Sequence, residues 1–264
     1  MKYHFETKPN QVVLYMDMLG FRNVIMENDG NQKESKDIIL DFPVLKEIIC
    51  DMFDSEECKI NFLWMSDSFM LSTDIANINE LLECMFSIQK DMLISGLPVR
   101  GAICIGNLNH TENIWGEALV RAVEIEEQKS CYPRILISNE DFGRLPISDY
   151  KKYFKESSTI PDFKYIDPIT RYLDQCIKNA FKDENGIWGV LNTLISDFEE
   201  QCYKHRERKR VREKWEWLAK ILMTEMKKQE KTIRAALEID LRCNAQPQSF
   251  ERCLERLEKI IVEI

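Results

Sequence analysis

The sequence predicts an α+β fold: a mostly antiparallel sheet of the split βαβ (ferredoxin-like) type with helices on one face, followed by a helical C-terminal extension. Two observations predict this class. Strand patterns alternate with helical patterns up to about residue 166, and strand patterns are missing beyond about residue 170. We therefore expect a sheet-containing domain over residues 1–170 and a helical extension over 171–264, with linker-type residues from Asp183 to Gly186 near the boundary.

Each predicted element rests on a local pattern. An apolar run that ends at a glycine predicts a strand, Ser66-Asp67-Ser68 between two apolar runs predicts a hairpin, and apolar residues at helical spacing predict a helix. Pro43 breaks an early helix because proline cannot continue a helix interior. In chain order the sequence predicts a strand at 11–17, a helix from about 21, a helix around 36–53, strands at 59–65 and 69–73, a helix at 77–94, a strand at 97–106, a helix at 116–128, and strands at 134–138 and 163–166.

The composition favours a globular protein with reduced thiols. A net charge of −9 over 264 residues argues against a nucleic-acid partner, and no apolar run approaches the roughly 18 residues of a membrane span. The first residues are charged and polar rather than a signal sequence, so we expect a cytoplasmic location and no membrane partner. Nine cysteines without a CxxC pair, and only three histidines, make oxygen the expected ligand for any metal, which favours Mg²⁺ or Mn²⁺.

Two aspartates stand where strands end. Asp17 lies in an otherwise apolar strand, where a carboxylate without a partner would be costly, and Asp67 lies at the predicted hairpin tip. In a split βαβ sheet the first strand lies beside that hairpin, so both carboxylates reach one edge. Gly20 then turns the chain into a helix whose free N–H groups suit a triphosphate. The pattern predicts a two-metal phosphoryl-transfer site, although each aspartate alone equally fits a turn or cap residue.

Four motifs, in order over about residues 11–138, resemble those of class III nucleotide cyclases. YMDMLGF resembles the first metal motif, MSDSFML the second, and PVRGAICIGNL the arginine-containing strand that ends in glycine. NIWGEALVRAVEIEE is similar to the segment that joins a base-reading residue to the catalytic helix. The MLGF, SDS, RGAI and GEAL variants look like the Pycsar pyrimidine cyclases of bacterial antiphage defence, and VREKWEWLAKILM resembles a tail element of that group.

The resemblance implies that residues 1–170 are a catalytic domain that converts UTP to 3′,5′-cyclic UMP and pyrophosphate. It places two Mg²⁺ or Mn²⁺ ions per active site on Asp17, Asp67 and the Met18 carbonyl, where one ion acts on the ribose 3′-hydroxyl and the other on the triphosphate. The β- and γ-phosphates would be bound by backbone groups of Leu19, Gly20, Phe21 and Arg22.

Base recognition falls on two positions. Asn113 occupies the base-reading position, and its amide can pair with the edge of uracil or cytosine. Leu63 stands where purine cyclases commonly carry a base-contacting lysine, which disfavours the usual recognition of adenine. A turn residue that caps the next segment is an equally consistent interpretation of Asn113.

The catalytic helix departs from the purine cyclases. Val120 and Glu124 stand where those enzymes carry the asparagine and arginine that bind ribose and stabilise the transition state. Arg100 or Arg121 would then supply the positive charge that a pentavalent phosphorus requires. The alternatives are a solvated surface cation for Arg121 and a structural ion pair for Arg100.

Several functions stay open at this stage. The alternatives to a uridylate cyclase are a cytidylate cyclase that uses CTP, an inactive cyclase-like module that binds nucleotide or protein, and a nucleotidyltransferase with linear products. The resemblance also implies a pyrimidine nucleoside triphosphate substrate, a head-to-tail homodimer with sites at the interface, and a product sensed by a separate effector.

The helical extension carries two further patterns. The basic run at 204–214 predicts a solvated helix face. An apolar stripe follows it and is expected to dock on the catalytic domain or on the second copy of a dimer; it consists of Trp215, Trp217, Leu218, Ile221 and Leu222.

Overall fold

The protein is described by a computed structural model over residues 7–21, 47, 49, 51–53, 58–110, 114–179, 186–239 and 249–262. The chain divides into two compact units, Met1–Asp167 and Pro168–Ile264. Most of the helices predicted from residue 21 and around 36–53 lie outside the described residues, as do Arg22 and Asn113.

The first unit contains the sheet, and its described elements follow the predicted order. The helix predicted at 77–94 ends as expected, because Gly96 has φ +72° and the amide of Leu97 returns to the carbonyl of Met92 at 2.9 Å. The elements are β1 (Lys8–Met18), β2 (Asn61–Met65), β3 (Ser68–Asp74), α1 (Ile78–Ile94), β4 (Val99–His110), β5 (Ile114–Trp115), α2 (Glu117–Lys129), β6 (Ile135–Ser138), α3 (Asn139–Arg144), β7 (Lys155–Glu156) and β8 (Phe163–Ile166).

The sheet has the predicted split βαβ topology, and the α+β fold class is confirmed. Its strand order is β2-β3-β1-β4-β6-β8-β7, with β5 paired to β4 at one end. Strands β4 and β6 run parallel and are joined through α2, whereas the other described pairs are antiparallel. Strand β1 therefore lies at the centre, between β3 of the hairpin and β4.

Helices cover both faces of the sheet, so the expectation of helices on one face is wrong. Alternate residues of β1 point to opposite faces. Val12, Leu14 and Met16 pack in one buried cluster with α1, whereas Val13 and Tyr15 pack in a second cluster with α2. A strand buried on both sides reads as a continuous apolar run, which is the pattern of residues 12–16. By the same alternation Asp17 faces the α2 side.

The second unit is helical throughout its described elements. Each helix buries an apolar stripe against its neighbours, and among these helices none is both long enough and apolar enough to cross a membrane. The helices are α4 (Pro168–Asn179), α5 (Gly186–Lys204), α6 (Lys209–Lys228), α7 (Glu230–Ile239) and α8 (Ser249–Val262).

Three residues of the predicted docking stripe of α6 are buried in a core rather than available for docking, whereas Trp217 and Ile221 are half-buried. Trp215, Leu218 and Leu222 are at most 4% exposed, and the Trp215 ring lies 6.0 Å from that of Phe198 in α5. The basic run before the stripe is solvated, as predicted; its exposed cations are Lys204, Arg206, Arg208, Lys209 and Arg210.

Candidate active site

The candidate site begins at the end of β1, where Asp17 pairs in register with Ser68 of β3 and with Arg100 of β4. Because β1 is the central strand, its last residues have neighbours on both sides. The Asp17 side chain is 19% exposed. The register of β1 with its two neighbouring strands therefore places Asp17 between Ser68 and Arg100.

The β2–β3 hairpin brings Asp67 to the same end of β1. We call this region, which contains Asp17, Asp67 and Arg100, the corner. Ser66 adopts φ +54°, a left-handed conformation that closes the tight turn, and the indole of Trp64 donates to the Ser66 carbonyl at 2.8 Å. The amide of Met18 donates to the Asp67 carbonyl at 2.8 Å. Asp67 is half-buried and directly precedes Ser68, the partner of Asp17. The structure thus places the two aspartates on adjoining segments.

Arg100 supplies the partner that Asp17 lacks within its own strand. Its Nε and Nη2 each lie 3.3 Å from Oδ2 of Asp17, and its Nη1 donates to the Ser130 carbonyl at 2.9 Å. Nε also lies 2.6 Å from Oε1 of Glu126 in an ion pair, although the angles of this contact are not those of a hydrogen bond. Arg100 is therefore held between two carboxylates, and the structural ion pair that the sequence left open is formed.

Glu126 is a residue that the sequence reasoning missed. It is 2% exposed, and burial raises its pKa to about 7; the negative charge of Asp17 also raises the pKa, while Arg100 opposes the shift. A signal was present, since Ala118 and Ala122 stand two turns and one turn before Glu126 on the buried face of α2. Helical periodicity therefore points this carboxylate into the sheet.

The pKa of Tyr15 is affected by the carboxylates of Asp17, Glu126 and Asp67. Its hydroxyl donates to Oγ of Ser68 at 2.8 Å. The pKa of Tyr15 is raised, first by burial and then by the negative charges of Asp17, Glu126 and Asp67, against the lowering effect of the Ser68 hydrogen bond. Three carboxylates thus act on one phenol, and Arg100 is their close cation among the described residues.

Arg121 lies elsewhere on the same face. Its Nη2 donates to Oδ2 of the buried Asp141 at 2.7 Å, and its Nη1 to the Ile105 carbonyl at 3.4 Å. Ile105 pairs with Val12, five positions from the register of Asp17, or about 17 Å at roughly 3.4 Å per residue. The structure does not bring Arg121 to the aspartates of its own chain.

The other predicted site residues surround the end of β1. Met18 is buried, Gly20 takes φ +87° in the turn, and Phe21 packs against the α1-side core. The Leu19 amide donates to the Pro98 carbonyl at 2.9 Å, so this donor of the predicted phosphate cradle is used within the chain. Leu63 packs in the α2-side cluster, on the face that carries Asp17.

The donor set fits a hard cation. Mg²⁺ is usually held by one or two carboxylates together with waters and substrate phosphates, rather than by a cage of protein ligands. Asp17 and Asp67 offer two carboxylates beside the Met18 backbone. Within the described ranges there is no cluster of three or more histidine, cysteine or acidic residues that could hold a metal ion. The site therefore suits cations that arrive with a phosphate ligand.

No family model matches the sequence, and no curated protein matches it. Solved structures do match, although at low identity. One bacterial light-regulated adenylyl cyclase is 12% identical with a TM-score of 0.40, over 62% of this chain and 53% of its own length. An adenylate/guanylate cyclase/hydrolase from Silicibacter pomeroyi is 17% identical with a TM-score of 0.36, over 61% of this chain and 96% of its own. A further bacterial light-regulated adenylyl cyclase is 12% identical with a TM-score of 0.30, over 49% of this chain and 76% of its own. The matched region thus spans about half the length of the first of these proteins.

Proposed function

We propose that this chain is a class III nucleotide cyclase that converts UTP to 3′,5′-cyclic UMP and pyrophosphate. The observation that carries the proposal is the meeting of Asp17 and Asp67 at one corner, beside Arg100. The ordered cyclase-like motifs of the sequence support the same assignment. Cytidylate cyclase activity is the second candidate, because the amide of Asn113 offers a donor and an acceptor to either pyrimidine.

In the proposed reaction the 3′-oxygen of the ribose attacks the α-phosphorus in line, the 3′-hydroxyl proton is lost to water, and pyrophosphate leaves. Two Mg²⁺ or Mn²⁺ ions, when bound, would lower the pKa of that hydroxyl and neutralise the triphosphate. Asp17, Asp67 and the Met18 carbonyl would hold the ions. No side chain needs to act as a nucleophile.

Arg100 would stabilise the negative charge that develops on the phosphates. Glu126 and the Ser130 carbonyl anchor the guanidinium, so it keeps its place if Asp17 turns to a cation. A prepositioned cation costs little reorganisation when charge develops, which is the main source of electrostatic catalysis. Glu126 is thus a positioning residue for Arg100.

The proposal includes a homodimer whose sites lie at the interface. Arg121 is about 17 Å along the sheet from its own chain's aspartates, at roughly 3.4 Å per residue, so a direct role requires a second copy. Val120 beside it is an apolar residue with 55% of its surface exposed, as expected at an interface. By the sequence resemblance, the product would serve bacterial antiphage defence through a separate effector.

The decisive experiment is product identification. The purified full chain is incubated with Mn²⁺ and each of the four nucleoside triphosphates, and products are identified by mass together with pyrophosphate release. Cyclic UMP is expected; cyclic CMP would move the assignment to the second candidate. A linear product would indicate a nucleotidyltransferase, and no product from any nucleotide would favour a binding module.

Substitutions of the proposed site residues test whether the cyclase activity depends on them. Asp17→Asn and Asp67→Ala should each abolish cyclisation while the far-ultraviolet circular dichroism stays native, because neither side chain is part of the apolar core. Asp74→Ala is the matched control: this carboxylate is exposed at the far end of β3. Arg100→Ala and Arg121→Ala should each lower kcat, and full rates in both would refute their assignment.

A further inference from the structure

Arg134 is a buried cation that has no matching anion in the part of the chain that the structure describes. It directly precedes β6 and is 4% exposed. Among the described residues its guanidinium forms no ion pair; Nη2 donates to Oγ1 of Thr159 at 3.3 Å, and Nε is buried without a hydrogen-bond partner. Buried charges in proteins are normally paired, as Asp141 is with Arg121 at 2.7 Å. Arg134 departs from that rule.

Two tyrosine rings lie close to this guanidinium. Its central carbon lies 5.5 Å from the ring centroid of Tyr132 and 5.3 Å from that of Tyr165. Both distances are within the range in which a ring quadrupole attracts a cation, and such a contact provides none of the hydrogen-bonding capacity of an anion. Burial lowers the pKa of Arg134 from its ordinary value, as expected where no carboxylate compensates. Of the N–H groups of the Arg134 guanidinium, these contacts use only the one that donates to Thr159 among the described residues.

The position of Arg134 is next to Arg100. The amide of Gly101 donates to the Arg134 carbonyl at 3.1 Å, and Oγ of Ser130 donates to the same carbonyl at 3.2 Å. The Ser130 carbonyl in turn accepts from Arg100. Ala102 and Leu136 belong to the α2-side cluster, so by alternation Arg100 and Arg134 share that face. Asp17 lies two strand spacings from Arg134, about 10 Å at roughly 4.8 Å each.

We propose that Arg134, with the Thr159 hydroxyl beside it, forms a second oxyanion subsite that binds the terminal phosphates of the nucleotide or free pyrophosphate. The inference deepens the proposed function and rests on it for the identity of the ligand. A planar guanidinium can bind two phosphate oxygens at once, and the exposed Thr159, whose hydroxyl accepts from Arg134, marks the side from which a ligand would approach. Arg100 would act on the phosphates nearer the metal site and Arg134 on those beyond it.

The first test measures binding without turnover. Pyrophosphate is titrated into the full chain by calorimetry in EDTA at constant ionic strength. Arg134→Met should weaken binding by roughly tenfold to a hundredfold, the range of one lost charge-assisted pair, and Arg134→Lys by less. Lys151→Met is the control, because it removes the same charge at an exposed position. Lys151 lies two residues before Tyr153, which packs in the buried cluster on the α1 side of the sheet, so this variant should bind pyrophosphate like wild type. Equal affinity in Arg134→Met and wild type would overturn the proposal.

A second measurement uses only the wild-type protein, so a folding defect in a variant does not affect it. The Nε–H resonance of Arg134 is followed by ¹⁵N-correlated nuclear magnetic resonance during addition of pyrophosphate and, separately, of UTP. A saturable shift with pyrophosphate supports the subsite, and the UTP titration tells whether the nucleotide's own phosphates occupy it. No shift with either ligand refutes it.

The two proposals fail in different ways. Arg134-dependent binding of pyrophosphate in a chain that cyclises no nucleotide would leave the subsite standing and remove the cyclase. Cyclisation with pyrophosphate affinity and KM unchanged in Arg134→Met would remove the subsite and leave the cyclase.

Discussion

Gly101→Ala is the sharpest test of how β1 and β4 form the site. Gly101 lies opposite Met16 in β1, one register position from the Asp17–Arg100 pair. A Cβ at Gly101 would stand 2.1 Å from the Tyr15 carbonyl oxygen and 3.0 Å from Cα of Met16. Both are backbone atoms of the central strand, so no rotamer change relieves the overlap. The strands themselves must separate.

The magnitude follows from the displacement. Restoring an ordinary contact of about 3 Å moves β1 by about 1 Å, which stretches neighbouring ladder hydrogen bonds beyond their useful range of about 3.2 Å. Losing three such bonds at about 1 kcal/mol each gives about 3 kcal/mol. The same separation draws Asp17 away from Arg100. Gly106→Ala on the same strand is the control: its Cβ would meet the Cβ of Ala118 at 3.4 Å, an ordinary contact, so stability should change by less than about 1 kcal/mol.

The assay is urea unfolding of the full chain by far-ultraviolet circular dichroism, with hydrogen exchange mass spectrometry to assign the change to one unit. Gly101→Ala should lower the free energy of unfolding by about 3 kcal/mol and speed exchange in β1 and β4, while the helices of the second unit keep their protection. Equal stability and exchange in Gly101→Ala and Gly106→Ala would show that the strands do not approach so closely, and the Asp17–Arg100 geometry would fall with them.

Three further predictions concern charged side chains, two of them at buried carboxylates and one at a half-buried ion pair. Burial raises the pKa of Glu126 from 4.5 to about 7, so stability should fall by about 3 kcal/mol between pH 4.5 and pH 8 in EDTA, and Glu126→Gln should flatten that fall in urea titrations. Arg121→Met leaves the fully buried Asp141 with the weaker contact to Arg144, and thermal unfolding should report a loss of about 2–3 kcal/mol. Arg256→Met removes a two-bonded contact to Glu199 at 2.6 and 2.8 Å and should destabilise the helical unit by about 2 kcal/mol in urea; no change there would mean the pair is solvent-screened.

Local sequence patterns predicted most of the elements of the first unit in their chain order, because each of these elements carries its own signal; the short β5, α3 and β7 were not predicted. The apolar run of β1 predicted a buried strand, and the Ser66-Asp67-Ser68 turn predicted the hairpin. Together they place Asp17 and Asp67 on adjoining segments, since the strand before a split hairpin pairs with it. The same patterns did not predict which face each helix covers, because periodicity gives the buried side of a helix and not its partner.

Side-chain pairing across the sheet was harder to predict. Arg100 meets Asp17 at a sequence separation of 83 residues, and Arg100 meets Glu126 only because α2 crosses from β4 to the parallel strand β6. These contacts depend on register, which a single sequence does not specify for distant strands. Arg134 has no pattern of its own, since one arginine before a strand reads as an ordinary surface cation. Its burial involves Tyr132 and Tyr165, whose rings lie close to the guanidinium.

The face of the sheet on the α2 side carries acidic residues near β1 and an arginine without a carboxylate partner, among the described residues, near β6. Near β1 the described residues place the carboxylates of Asp17, Asp67 and Glu126 around Arg100, and under the proposed function this end would bind a cation. Near β6 Arg134 has no carboxylate partner among the described residues, so that end attracts an anion. The proposed ligand, a triphosphate that brings divalent cations, carries charges of both signs and would suit both ends of this face. If the proposals hold, the two ends should lose affinity separately: cation binding with Asp17→Asn, and metal-free pyrophosphate binding with Arg134→Met.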